Sequence, residues 1–247
     1  MLPDGAVADR RTQAKLGGDA LSEVLAALWP GDCQSCGTSL GPDQPALAID
    51  DLPVLTRATV HHRACQAPRW NDSQTLQTPT SALLTWRTVA LLLPFQPSRR
   101  VIRAAGLLVN PGLEEVWLTE DASGWHPRLE PAFAAAGLTH LAQGMPIGNP
   151  AAGVTGHLSQ TALSAEITGR AERYTCAAAP AIRAAAAKLG GFVLLVTHAA
   201  DPCQLTPDTL MDVFASPVTL VGWGTGMKPC SSRAGPGGIG AAPETNR

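Results

Sequence analysis

The chain has little of what would tie it to an obvious partner. Only three of its 18 basic residues are lysines (Lys15, Lys188, Lys228), charged residues make up 15%, aromatics 4%, and there is one tyrosine. A net charge of −2 and a pI near 6.3 supply no field that would draw in nucleic acid or an anionic membrane. The most apolar window, Val89 to Phe95, is too short to span a bilayer and is flanked by Arg87. The opening residues MLPDGAVADRRTQAK contain no apolar core of a secretory signal, so the expected setting is the cytoplasm, away from membranes. No internal repeat is present. The shortage of Lys beside abundant Ala, Arg, Gly and Pro reads as GC-rich coding, which weakens any single Arg as evidence for an anion site.

What is present is a 45% hydrophobic composition over 247 residues, enough to bury a proper core, and six cysteines. In a chain without a secretory signal, paired thiols point to metal rather than to a disulfide framework. Two pairs stand out: Cys33-x2-Cys36, and His62-x2-Cys65, with 25 residues between them. A Cys-x2-Cys turn lets two sulfurs reach one ion while knuckle N–H groups bond the thiolates. Gly37, directly after the second Cys, can take the positive φ that such a knuckle requires. His62 and Cys65 are three residues apart, a spacing that one helical turn directs at a single ion. His61 is the competing nitrogen ligand; His62 is preferred because its spacing to Cys65 repeats that of the first pair. Four protein ligands close the coordination sphere, so the expected cofactor is one structural zinc ion held by Cys33, Cys36, His62 and Cys65.

CxxCG followed by a hairpin and HxxC resembles a treble-clef or LIM-like zinc finger, over residues 33–65. That resemblance implies binding to protein or nucleic acid, or bracing of a neighbouring domain. The HNH nucleases built on a treble clef need an Asp-His pair ahead of a Gly-rich hairpin; here only His61 and Asn71 are at hand. From Gly31 to Thr75 the arginines Arg57, Arg63 and Arg69 face Asp32, Asp43, Asp50, Asp51 and Asp72, and bound thiolates add negative charge. Protein contact is therefore favoured over phosphate contact.

The expected fold class is α+β or α/β, a small N-terminal zinc-finger module followed by a mixed α/β domain. Residues 1–18 are expected to be loose, 19–75 to form the module, 76–82 a linker, 83–227 the second domain and 228–247 a disordered tail. In the module, Asp19 would cap a helix carrying Leu21, Val24, Leu25 and Leu28, and residues 46–50 and 56–61 would form a hairpin. In the second domain, residues 106–109 and 115–119 read as strands joined at Asn110-Pro111-Gly112, 130–136 as a short helix, and 143–156 as a loop. Residues 82–95 are apolar without a decisive period. From Glu166 onward the pattern is βαβαβ: strand 166–175, helix 180–189, strand 192–197, helix 207–214 and strand 218–223, an order that favours parallel pairing.

Parallel strands ending at Thr197 and Trp223 would bring His198, Asp201 and the run Gly222-Trp223-Gly224-Thr225-Gly226 to one sheet edge, with His157 or Glu166 as further recruits. His198 and Asp201 are thus the candidate catalytic pair of an enzyme reading in which the finger only braces the domain. Arg99, Arg100 and Arg103 form the one basic cluster and carry a third reading, a DNA-associated accessory protein. Cys176, Cys203 and Cys230 lack partner spacing.

Overall fold

The computed structural model describes residues 5–29, 31–77, 85–95, 101–141 and 149–229. They form two sheets with helices against them, a mixed α+β architecture. Helix α1, Arg10–Ala27, begins well before the expected Asp19: Asp9 is its N-cap, accepting the Thr12 N–H at 2.8 Å. Gly17 (φ 73°, ψ 175°) kinks it, and the apolar positions of its second half, with Val24 fully buried, face the first sheet.

The first sheet contains β1 (Ala46–Asp51), β2 (Thr56–His61), β3 (Arg69–Asn71), β6 (Glu115–Asp121) and β7 (Gly124–Arg128), in the order β3-β1-β2-β6-β7. The β1–β2 hairpin expected from the Thr- and Val-rich runs is there, pairing Ala46 with His61 and Asp51 with Thr56. The sheet takes two of its strands from residues 115–128, far along the chain. Its core joins Leu47, Ile49, Val60, Trp70, Val116 and Trp125 to Val24 and Leu28. Trp70 and Trp125 meet edge to face at 5.2 Å, and Lys15 Nζ lies 4.6 Å over the Trp70 ring.

The second sheet is built from β4 (Arg87–Phe95), β5 (Ile102–Asn110), β9 (Pro150–Leu158), β10 (Ala162–Ile167), β11 (Arg173–Ala177), β12 (Gly191–Val196) and β13 (Leu220–Pro229), ordered β11-β10-β9-β13-β12-β5-β4, with the two-residue β8 (Thr139–His140) added against β13. It curls until β11 reaches β4: the Ala90 N–H donates to Cys176 Sγ at 3.1 Å and Thr88 Oγ1 to the Thr175 carbonyl at 3.0 Å. Alternate residues of the central strands fill opposite sides. Leu107, Val109, Phe192, Leu194 and Val196 enter the concave core with Tyr174 and Phe133, while Leu108, Val193 and Leu195 pack outside with Leu93 and Val213. Helix α3 (Pro180–Leu189) contributes Ile182 and Ala186 to the first of these cores, and α4 (Pro207–Ala215) gives Val213 to the second.

Several expectations change at this level. Asn110-Pro111-Gly112 does not join neighbouring strands; it passes the chain from β5 of the second sheet to β6 of the first. The apolar stretch near residue 90 is strand, the region expected to be a loop contains β9, and the single strand expected at 166–175 is a hairpin that turns between β10 and β11. The short helix near 130 is α2 (Pro131–Ala135).

The strand-helix-strand-helix-strand order from β11 to β13 is as read from sequence, but β12 and β13 run antiparallel, Gly191 against Thr225 and Val196 against Leu220. The reason is where the connection goes. Thr219 Oγ1 donates to Thr197 Oγ1 at 2.9 Å and lies 2.8 Å from the Val213 carbonyl, so the chain re-enters the sheet at the end it left. A helix of nine residues spans about 13 Å, short of the roughly 20 Å of a six-residue strand, and α4 closes the sheet's end instead of carrying the chain back along it.

Candidate metal centre

The residues ahead of Cys33 are fixed from a distance. Glu114, fully buried just ahead of β6, accepts the N–H groups of Gly31 and Asp32 on Oε1, both at 3.2 Å, and that of Thr85 on Oε2 at 3.0 Å. Burial pushes its carboxyl above the usual range, against the pull of those donors. The Val60 N–H donates to the Glu114 carbonyl at 3.2 Å, and Trp29 N–H to that of Leu113 at 2.7 Å. The Glu114 carboxylate thus ties the approach to the knuckle to the entry of the second sheet, and its backbone carbonyl ties both to β2.

The knuckle follows. The Cys33 N–H donates to the Thr38 carbonyl at 2.8 Å and the Gly37 N–H to the Cys33 carbonyl at 2.7 Å, with Gly37 at φ 69° as its position after CQSC required. The buried Cys33 sulfur receives the N–H of Ser35 at 3.4 Å and that of His62 at 3.2 Å. Through Cys33 and the residue that follows β2, the two sides of the site are therefore already hydrogen-bonded to each other.

His61 and His62 divide two roles. His61 is buried between Ser35 Oγ, 2.8 Å from Nδ1, and Thr59 Oγ1, 2.9 Å from Nε2. Burial, then the Arg69 and Arg57 charges, hold it down to about 4, so it is neutral. His62 points the other way. Its Nε2 lies 2.9 Å from the Ser39 carbonyl, which fixes the proton on Nε2 and leaves the Nδ1 lone pair facing the thiols, 3.4 Å from Cys36 Sγ and 3.9 Å from Cys65 Sγ. The Cys65 and Gln66 N–H groups both return to the His62 carbonyl, at 2.9 and 3.0 Å. This is one isolated turn and no helix follows: β3 takes the chain into parallel pairing with β1.

Cys33, Cys36, His62 and Cys65 come together as the spacing required. Their ligand atoms all lie within 4.8 Å of one another, Cys33 buried, His62 half-buried, Cys36 and Cys65 exposed. The protons are unevenly held. Hydrogen bonds from the Thr38 hydroxyl and backbone lower the Cys36 thiol to about 6, while loss of water and the neighbouring Cys36 and Cys33 sulfurs push Cys65 up to about 11. The Cys36 contact raises His62. Three sulfurs and an imidazole facing one point form a soft-donor set that can hold one metal ion. Among the described residues no disulfide occurs.

The other candidates are engaged elsewhere. Asp201 caps a 3-10 turn over Pro202–Gln204, accepting the Cys203 N–H at 2.9 Å, and its Oδ2 is paired with Arg87. His198 is 3% exposed, and its Nδ1 has no hydrogen-bond partner. Its carbonyl accepts the Trp29 indole N–H at 2.7 Å, and burial pushes its imidazole down to about 4. The glycine run is not a loop beside them but lies inside β13, reaching the start of β12 while His198 follows its end. Those glycines answer to packing: a Cβ at Gly224 would sit 2.7 Å from the Phe192 ring, and at Gly222 2.7 Å from Ala151 Cβ.

His157 and Glu166, on β9 and β10, face each other at 2.9 Å, with Arg173 also on Glu166. Asn71 donates to Asp50 Oδ1 at 2.7 Å and to the Thr75 carbonyl at 2.8 Å. Arg103 is exposed on β5, while Arg99, Arg100 and Cys230 fall outside the described residues. Glu114 is the participant that sequence reasoning missed. Nothing in the run Leu113-Glu114-Glu115-Val116 sets it apart from the carboxylate beside it.

Compared with family models, curated proteins and solved structures, the chain matches none. Among the described residues no helix is long and apolar enough to cross a membrane, a criterion that does not address β-barrels.

Proposed function

We propose that the chain is a zinc-binding protein whose Cys3His finger is structural, and that it works in the cytoplasm through contact with another protein rather than with nucleic acid. The observation that carries the metal assignment is the convergence of Cys33, Cys36, His62 and Cys65 within 4.8 Å. Tetrahedral zinc, with Zn–S of about 2.3 Å, sets neighbouring sulfurs about 3.8 Å apart, so small side-chain movements complete the sphere. Four protein ligands leave no open position for a substrate, which makes the ion a brace for the knuckle and the end of β2.

The preference for protein over nucleic acid is supported by the arginines around the finger. Arg57 is bonded to Glu115 at 3.2 Å, Arg69 lies 3.5 Å from Asp50, and Arg11 pairs with Asp72. At Arg11, Arg57 and Arg69, though not at the exposed Arg63, phosphate binding would have to displace carboxylates already in place, and it would gain little from counterion release.

Metal analysis of the purified full chain tests the first half, with about one zinc per chain expected to survive gel filtration. Full stability in a strong chelator with no metal bound would reject it. A salt series with duplex DNA tests the second half: no steep loss of retention with salt is expected, and a steep slope would restore the nucleic-acid reading.

A further inference from the structure

We infer that hydroperoxides open this metal centre selectively, joining Cys36 to Cys65 in a disulfide and releasing the ion while Cys33 stays reduced. The inference rests on the zinc assignment above and concerns how the three sulfurs differ. Cys33 is buried, and its sulfur and backbone are held by the Ser35, His62 and Gly37 N–H groups and the Thr38 carbonyl. It cannot approach another sulfur without giving up that seat. Cys36 and Cys65 are exposed, on the knuckle and on the isolated turn after β2, and both face Nδ1 of His62, at 3.4 and 3.9 Å.

Forming their disulfide requires the two sulfurs to close from within 4.8 Å to about 2.05 Å, a movement for two exposed side chains and not for the core. The bond would fasten the same two segments that the ion fastens. The released site would keep only Cys33 and His62, half of the four ligands a structural zinc uses.

The chemistry balances with one two-electron oxidant. A thiolate sulfur attacks the peroxide: an S–O bond forms, the O–O bond breaks, and hydroxide leaves, taking a proton to become water. The second thiolate then attacks the resulting sulfenic sulfur, forming S–S as S–O breaks, and the departing hydroxide also takes a proton. Two thiolates, one hydrogen peroxide and two protons give one disulfide and two waters. The sulfurs lose two electrons and the peroxide gains them.

The test uses the full chain, its zinc content measured first, then exposed to hydrogen peroxide while a chromogenic chelator follows metal release and peptide mapping identifies the linkage. One zinc released per Cys36–Cys65 linked peptide is expected, reversed by dithiothreitol and added zinc, and unchanged in Cys203→Ser, which removes an exposed thiol outside the site. Release with a Cys33–Cys36 linkage, release with sulfinic acids alone, or zinc retained while Cys203 oxidises would each overturn the inference and leave the zinc assignment standing. A chain that carries no zinc before peroxide would overturn both.

Discussion

Oε1 of Glu114 accepts the backbone N–H of Asp32 at 3.2 Å, one residue ahead of Cys33. The same oxygen holds Gly31 and the other holds Thr85, so three half-buried donors depend on one side chain. Replacing it with alanine leaves those donors unpaired, at about 1 to 3 kcal/mol for the set if water enters and more if it does not. Glu114→Ala should lower Tm by roughly 2 to 12 °C at this chain length. Glu114→Gln, which keeps one oxygen, should fall between. An unchanged Tm by calorimetry would remove Glu114 from its bracing role.

Removing the metal should cost as much as removing a ligand. At a free zinc concentration about 1,000 times Kd, binding stabilises the fold by about 4 kcal/mol, equivalent to a Tm change of about 10 °C. Cys33→Ser in zinc and the unaltered chain in excess chelator should therefore melt at similar temperatures, both below the zinc-loaded chain. Melting curves that superimpose with and without zinc would refute this.

The two histidines should separate cleanly. His62→Ala removes a ligand and should abolish stoichiometric zinc binding. His61→Ala should retain about one zinc per chain in excess metal while losing about 1 to 3 kcal/mol, because it frees Ser35 and Thr59 from their shared partner and leaves a cavity. Zinc titrations of the two variants give the answer, and loss of metal in His61→Ala alone would reverse the assignment.

The cluster of Cys33, Cys36, His62 and Cys65 was legible because its pattern is local: each pair lies within one turn of chain, and the hairpin brings the two pairs together. His62 could be chosen over His61 by spacing, although the reason His61 turns inward, the waiting hydroxyls of Ser35 and Thr59, is three-dimensional. Glu114 could not be read, since Gly31, Asp32 and Thr85 reach it across 83, 82 and 29 residues. The antiparallel entry of β13 was hidden for a similar reason. Strand, helix and strand in succession suit a crossover, and it takes the pairing of Val196 with Leu220 and the Thr197–Thr219 contact to show that the connection stays at one end. With that pairing, the supposed meeting of His198 with the glycine run disappears.

His198 should make the fold acid-sensitive. Its imidazole is held at about 4 in the folded chain against an ordinary 6.5, so between those values the unfolded chain takes up a proton that the folded one refuses. Its contribution is fully present above pH 6.5 and is lost as the pH falls toward 4, on the order of 3 kcal/mol in all. Urea unfolding at pH 7, 6 and 5 should show a shallower decline in His198→Gln than in the unaltered chain. His61, lowered in the same way, keeps its own share in both. Parallel declines would mean that His198 is protonated in the folded state.

The curl that brings β11 against β4 bears on how copies of this chain meet at high concentration. An open sheet of this width would end in long rows of backbone donors and acceptors, ready templates for cross-strand aggregation. Here the two terminal strands turn those rows toward each other, through Ala90, Cys176, Thr88 and Thr175. The first sheet ends instead on a three-residue strand at one side and, at the other, on one that contains Pro127 and lies beside α1. Both are poor templates for a passing strand, so topology limits edge-to-edge association in this lysine-poor chain.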